Sequence, residues 1–492
     1  MLWVDAICIN QYDIEERQAQ VKSMHRIYKL AESVVAWLGP SDDNSSMAYE
    51  TMKYIQKESI PLLSTVAFRF DNEETRNEYD AFRELMDRPY WFRAWIVQEM
   101  MFARSLTIQC GFEAVPYSIL ANCYRPDTLE YVGIRSHKSD SMRIHFQGNL
   151  EVRVPRLDSQ QLCPKRFLDC FLDRQCRERH DNIFAFWNLL SDDIQQQIPV
   201  CYNTELHKLV PNTARAFIKS MQCLYIIIIR GRQTRPCTQG NDKWQLKTPS
   251  WCPYLGMPYE CCSIESQDMP SLFAENANPS FLTNDRLRVK GFVIGRVSRT
   301  ISRHTPDKVG ATAGWDEADS NRERKHYLKC LILGLTGMPK DIHTTMMSID
   351  ATTQTLFAGR GGKISDVRAE IYDVQTLISS RTVGEEGPAL TALRKIWNIG
   401  NSRLVCSFKL GRAATRALYS SKEAPAAWIN RIALVPRTTL RGDAICMIMG
   451  CPLPVVLRRK GKRYRVLGEA YIDTSAMGRF RVDIGLRDFI LE

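Results

Sequence analysis

Leu2-Trp3-Val4-Asp5-Ala6-Ile7-Cys8-Ile9-Asn10-Gln11 is the stretch on which the fold is decided. Apart from Asp5, residues 2–9 form a near-continuous apolar run, the pattern of a parallel strand covered on both faces. Asn10 and Gln11 end it. Asp13 then stands three residues before Glu16, which is capping-box spacing with an Asp at the cap, and early carboxylates favour the positive end of a helix. In the helix that follows, Val21, Met24, Ile27, Tyr28, Ala31 and Val35 recur at intervals of three and four, so one apolar face can lie on a sheet. Val34 to Leu38 reads as the next strand, stopped by Gly39-Pro40. Strand, helix and strand in this order predict an α/β layer.

Working outward, Ala81 to Ala103 reads as a helix pair broken at Pro89, and Leu106 to Cys110 as a short strand ending at Gly111. Residues 1–125 are therefore expected to form an α/β unit. A helical region is expected over 126–250, where Asp181 opens an apolar helix through Ile183, Phe184, Phe186, Trp187, Leu189 and Leu190. Residues 251–492 are expected to be β-rich, with a helical insertion near 365–400. Strands are predicted at Leu287–Val297, Ala444–Met449, Val455–Leu457 and Tyr464–Tyr471, with turns at Gly442-Asp443, Gly450 and Gly461.

At 492 residues, 44% hydrophobic and 25% charged, the chain has the balance of a globular protein of two or three domains. Its longest apolar run, Leu224 to Ile229, falls far short of the roughly 20 residues that cross a bilayer, so no membrane span is expected. The opening run is not read as a secretory signal, because Asp5 interrupts it and no basic region or cleavage site flanks it. Sixteen cysteines without framework spacing suit a reducing compartment, and the expected location is cytoplasmic. Cys170, Cys176, Cys252, Cys261 and Cys262 form no CxxC pair, so no metal is expected.

The net charge of +11 is spread along the chain, and nucleic acid is not an expected partner. One basic cluster, Arg458, Arg459, Lys460, Lys462, Arg463 and Arg465, surrounds Gly461; it reads as a solvated hairpin turn, with a phosphate or acidic-partner contact as the alternative. Gly359 to Lys363 is glycine-rich but lacks P-loop spacing, and no GxSxG, HExxH or GxGxxG fingerprint is present.

Two blocks carry a family resemblance. Residues 2–11, followed by Glu16-Arg17, Gln20-Val21, Met24, Ile27-Tyr28, Ala31, Val34 and Trp37-Leu38-Gly39, resemble the central block of the fungal heterokaryon-incompatibility (HET) family nearly position for position. Arg88-Pro89-Tyr90-Trp91-Phe92-Arg93-Ala94-Trp95-Ile96-Val97-Gln98-Glu99 resembles the family's RPWxxRxWxxQE segment. Weaker echoes continue at Asp181 to Ala185, Pro249 to Pro253 and Gly442 to Tyr471. The family's domain opens with a block of the type Y-x-A-L-S-Y-x-W-G that does not precede residue 2 here, so the expectation is a partial domain lacking its first strand.

The resemblance implies a role in non-self recognition and programmed cell death, exercised through protein partners or self-association. The family is also likened to Toll/interleukin-1 receptor (TIR) domains, some of which cleave NAD, so the implied fold is a partial TIR-like α/β unit. Under that likeness Trp95 to Glu99 resembles the helix that carries a catalytic glutamate. Glu99 and Asp5 are then the catalytic candidates, and Trp95, Arg93 and Asn10 the substrate-binding ones. NAD would be a substrate and no cofactor is implied. A single carboxylate near the ribose could steady an oxocarbenium-like transition state. The bland readings are an Asp5–arginine pair involving Arg17 or Arg93, and a Glu99–arginine pair involving Arg93 or Arg88. A Cys8–His25 nucleophilic pair is the weakest candidate, since both residues suit packing.

Overall fold

The computed structural model describes residues 2–57, 73–122, 174–228, 247–253, 278–283, 285–301, 403–411, 414, 430–472 and 485–492. The chain divides into two compact units, Met1–Ser220 with Tyr254–Pro258, and Met221–Pro253 with Tyr259–Glu492. The first mixes helices with a small sheet, and the second is β-rich.

In the first unit the opening run is not a strand, which corrects the expectation. Asp5–Cys8 closes one helical turn, α1, in which the amides of Ile7 and Cys8 donate to Val4 O at 3.0 and 2.8 Å. Leu2 and Ile7 stand 83% and 81% exposed. An extended run persists only where a neighbour takes its N–H and C=O groups. Here the run satisfies its own amides instead, and the Asp5 carboxylate accepts from Ala6 N at 2.7 Å. The parallel pairing occurs elsewhere, between β1 (Val34–Trp37) and β2 (Leu106–Cys110), in the register Val34↔Leu106 to Trp37↔Gln109. β3 (Glu113–Pro116) adds antiparallel to β2. The turn between them needs Gly111: its φ is +56°, and a Cβ there would lie 2.6 Å from Ser41 Oγ.

Helix α2 (Ile14–Leu30) begins where its cap predicts: Asp13 Oδ1 accepts from Glu15 N at 2.9 Å and Glu16 N at 3.1 Å. Glu16 reaches past the cap, accepting from Asn10 N at 3.1 Å. Val21, Met24 and Tyr28 are buried, and the main neighbours of the helix are α5 (Ile96–Phe102) and the 187–189 turn. Val35 does not join that face; it lies on β1 and is 50% exposed.

Helices α3 (Ser45–Lys57) and α4 (Glu73–Met86) precede a 3-10 turn at Pro89–Phe92, so the expected break at Pro89 is present and the helix before it starts earlier than read. Tyr49 Oη donates to Ile108 O at 3.2 Å, fixing α3 on the sheet. Arg88 clamps the loop that follows β1: it donates to Leu38 O (3.2 Å), Pro40 O (2.7 Å), Asp42 Oδ2 (2.6 Å) and Ser45 Oγ (3.1 Å). Helix α6 (Tyr117–Asn122) follows β3.

The apolar helix expected from Asp181 breaks into α7 (Asp181–Phe184) and a 3-10 turn at Trp187–Leu189. Ile183, Phe184, Ala185 and Phe186 are all fully buried, so no single face directs a longer helix. Side chains from elsewhere also take its carbonyls: Gln98 Nε2 donates to Ala185 O at 2.8 Å. α8 (Asp192–Gln197) and α9 (Leu206–Met221) follow.

In the second unit, β4 (Ser280–Leu282) pairs with the long β5 (Arg286–Ile301). Beyond them come β6 (Arg403–Leu410), β7 (Asn430–Pro436), β8 (Ala444–Ile448), β9 (Val455–Lys460), β10 (Arg463–Glu469), β11 (Tyr471–Ile472) and β12 (Arg487–Leu491). Pairings run from β5 through β12, β10, β9 and β8 and back to β5, so five strands form a closed ring. β6, β7 and β11 extend the sheet from the other half of β5. At Gly295 β5 pairs with both Ile445 and Leu410, and a Cβ there would collide with Lys409 O, so the crossing requires glycine. Phe292, Phe408, Val435, Ile445 and Val456 form part of the buried core.

The expected turns at Gly442, Gly450 and Gly461 are present, with φ of 93°, 80° and 62°. The β9–β10 register puts Arg463 opposite Lys460 and Arg465 opposite Arg458. Lys460 and Arg463 reach Glu492 at 3.1 and 2.9 Å, and Arg458 reaches the buried Asp443 at 2.7 Å. Residues 126–173, the glycine-rich 359–363 and the 365–400 insertion lie outside the described residues. Among those described, no helix is long and apolar enough to cross a membrane.

Candidate functional site

The Arg88–Glu99 block is the mechanical centre of the first unit. Pro89 starts the 3-10 turn with φ already set, burying Tyr90 and Trp91. Trp91 is fully buried, its indole donating to Leu85 O at 2.9 Å, and Arg174 Nη1 donates to Trp91 O at 2.6 Å. Ala94 N donates to Gln175 O and Gln175 N to Phe92 O, at 2.9 and 2.7 Å, so residues 174–175 add a short extended contact to the block.

Glu99 lies in the first turn of α5. It is half-buried, and Tyr90 Oη donates to its Oε2 at 2.8 Å. Burial raises the Glu99 carboxyl above the ordinary glutamate range; Arg93 and the Tyr90 hydroxyl oppose that rise, and Asp5 adds to it. Arg93 Nη2 stands 3.8 Å from Asp5 Oδ2, both side chains partly exposed. Tyr28 packs beneath, its phenol raised by burial and then by Glu99 and Asp5. The Trp3 ring meets Tyr28 edge-on at 5.9 Å. Glu99, Arg93 and Asp5 are thus brought together, with Tyr90, Tyr28 and Trp3 around them. The arrangement offers a fixed, partly buried carboxylate beside a guanidinium, able to bind a polar ligand or take part in proton exchange.

Trp95 turns the other way. Its Nε1 donates to Asp181 Oδ2 at 3.2 Å, and Tyr202 Oη donates to Asp181 Oδ1 at 2.5 Å. The Arg17 guanidinium lies over the Tyr202 ring at 3.9 Å. Burial raises the Asp181 carboxyl, with the Tyr202 and Trp95 hydrogen bonds and Arg17 opposing. Arg17 is therefore a neighbour of Asp181, and Arg93 is the partner of Asp5. Of the two arginines weighed for Glu99, Arg93 acts on it and Arg88 serves the β1 loop.

Asn10 is exposed and works in a turn, its Oδ1 accepting from Tyr12 N at 3.1 Å. Cys8 is exposed, not buried in a strand, and its Sγ accepts from Val4 N at 3.5 Å. His25 packs against the Phe102 ring at 6.0 Å, and burial followed by Lys29 lowers its pKa. No group of His, Cys, Asp or Glu among the described residues could hold a metal ion; Cys170, Cys261 and Cys262 lie outside them. Sequence reasoning missed Tyr90, Tyr28 and Asp181 because their partners stand 9 to 86 residues away or reach them only through the fold.

The family model described as "Heterokaryon incompatibility protein (HET)" matches residues 1–99. "Heterokaryon incompatibility protein 6, OR allele" of Neurospora crassa is 27% identical over 146 residues, covering 24% of this chain and 22% of that protein. The chain thus spans about a fifth, 22%, of the length of the curated relative it matches. No solved structure matches it. The tryptophan-rich block built around Trp91 and the turn that precedes α2 both fall inside the matched segment, so residues 1–99 are similar to the heterokaryon-incompatibility domain.

Proposed function

We propose that this chain is an effector of fungal heterokaryon incompatibility, acting in the cytoplasm to trigger programmed cell death after non-self recognition. The observation that carries this is the HET match over residues 1–99 together with a relative whose name is that of an incompatibility protein. The module acts through self-association or contacts with protein partners. Its parallel β1–β2 pair, with α3 laid on it, supports a TIR-like α/β reading. Inducible expression of the chain in a filamentous fungus tests the proposal. Loss of viability is expected, it should disappear with Trp91→Ala, and Glu99→Ala should leave it intact. Viable cells containing folded, abundant protein would overturn it.

A second reading, NAD glycohydrolysis with Glu99 as the catalytic carboxylate and Asp5 beside it, is favoured by the way Tyr90 and Arg93 fix a partly buried carboxylate. Arg93 would then contact the substrate's phosphates. Trp95 supports this reading only by anchoring the start of α5 to Asp181. Incubating purified protein with NAD and following nicotinamide decides the matter. Absence of release at high protein concentration, or release unaltered by Glu99→Ala, removes it.

A further inference from the structure

The geometry points to a reversible disulfide between Cys223 and Cys451 in the second unit, formed by reaction with a hydroperoxide. Both residues are thiols here, Cys223 half-buried and Cys451 fully buried. Each follows a residue held in the left-handed region at the end of an element. Gln222, with φ 51°, ends α9, and Gly450, with φ 80°, turns the chain from β8 towards β9. Within the second unit the segment at Leu224 and this turn are tied directly, because Leu224 N donates to Gly450 O at 2.6 Å.

Covalent geometry across that bond keeps the Cα atoms of Cys223 and Cys451 within about 8 Å of each other, a range that includes the separations of about 4.4–6.8 Å found across disulfides. The thiols also sense one another: Cys451 is raised first by burial and, further down, by the neighbouring Cys223. The difference in exposure assigns the roles. The Cys223 thiolate attacks the terminal oxygen of a hydroperoxide, the O–O bond breaks and an alcohol or water leaves, giving a sulfenic acid at Cys223. The Cys451 thiol then attacks that sulfur, the S–S bond forms, and its proton departs with the hydroxide as water. The two sulfurs lose two electrons and the peroxide gains them. A buried, high-pKa resolving thiol reacts with the adjacent sulfenic acid far more readily than with peroxide in solution. The bond would fasten the segment after α9 to the β8–β9 turn until a dithiol reductant reopened it.

The test treats the purified chain with hydrogen peroxide, blocks remaining thiols with iodoacetamide and maps non-reduced tryptic peptides by mass spectrometry. A peptide joining Cys223 to Cys451 is expected. It should vanish with Cys223→Ser, return to thiols with dithiothreitol, and persist in Cys446→Ala, which is needed because Cys446 shares the tryptic peptide of Cys451. In Cys451→Ala the sulfenic acid should be trapped on Cys223 by dimedone. Should Cys451→Ala fail to fold, the Cys223→Ser and Cys446→Ala maps still decide. Oxidation of Cys223 to sulfinic or sulfonic acid without the cross-link, or a cross-link to another cysteine, overturns the inference.

Discussion

The two blocks that resemble one family behave in opposite ways. Residues 2–11 look greasier, yet none of α1 is buried and Leu2 and Ile7 face solvent. Residues 88–99 carry arginines, a glutamine and a glutamate, yet bury Trp91, Ala94, Ile96 and Val97 and anchor much of the unit around them. Apolar content alone does not choose the interior. A segment goes inside when its backbone and its polar side chains also find partners there. The second block has Leu85 O, Gln175 and Arg174 to meet it, whereas the first has its own carbonyls.

The largest effect that can break this comparison is at Trp91. Trp91→Ala should cost about 3–5 kcal/mol in urea unfolding, from a large cavity and a lost indole hydrogen bond; a cost below about 1 kcal/mol would show that the block is not the framework. Arg88→Ala should follow, at about 1–3 kcal/mol, because it strips donors from Leu38 O and Pro40 O and leaves Asp42 without its guanidinium. A spared stability there would make the clamp decorative.

Glu99 sharpens the contrast through pH. Burial raises its carboxyl, so the folded chain binds that proton more tightly than the unfolded one. Its favourable contribution is complete below the ordinary glutamate range and is lost as pH rises through the raised value. Relative to the parent, Glu99→Gln should therefore gain stability between about pH 4 and pH 7. Equal differences at the two pH values would contradict the burial argument. Smallest of all, Ile7→Ala and Leu2→Ala should change stability by no more than about 0.5 kcal/mol; a larger loss by the same urea measurement would place the opening turn inside.

What was legible in the sequence is what local chemistry controls. The Asp13 cap, the strand at Val34, the break at Pro89 and the turns at Gly442, Gly450 and Gly461 each follow from one residue's conformational or hydrogen-bonding habit. The opening segment misled because an apolar run becomes a covered strand only where a neighbour's backbone pairs with it, and here the run turns on its own carbonyls with Leu2 and Ile7 exposed. At the candidate site, the convergence of Asp5, Arg93 and Glu99 was partly readable from charge, since Arg93 is a cation that suits either carboxylate. The Trp95–Asp181 bond was not, because it joins residues 86 apart and no periodicity links them. The spacing of Trp95 and Glu99 on one helix suggested a shared site, while the side chains engage different neighbours.

The ring of strands closed through β5 has a kinetic meaning. A sheet with an outer edge can fray from that edge, releasing one strand at a time, but in a closed circuit opening any seam strains the others. Among the described residues β5 borders four neighbours, β4, β6, β8 and β12. Its amides should be the last in this unit to exchange with deuterium, at a rate set by cooperative unfolding of the entire ring.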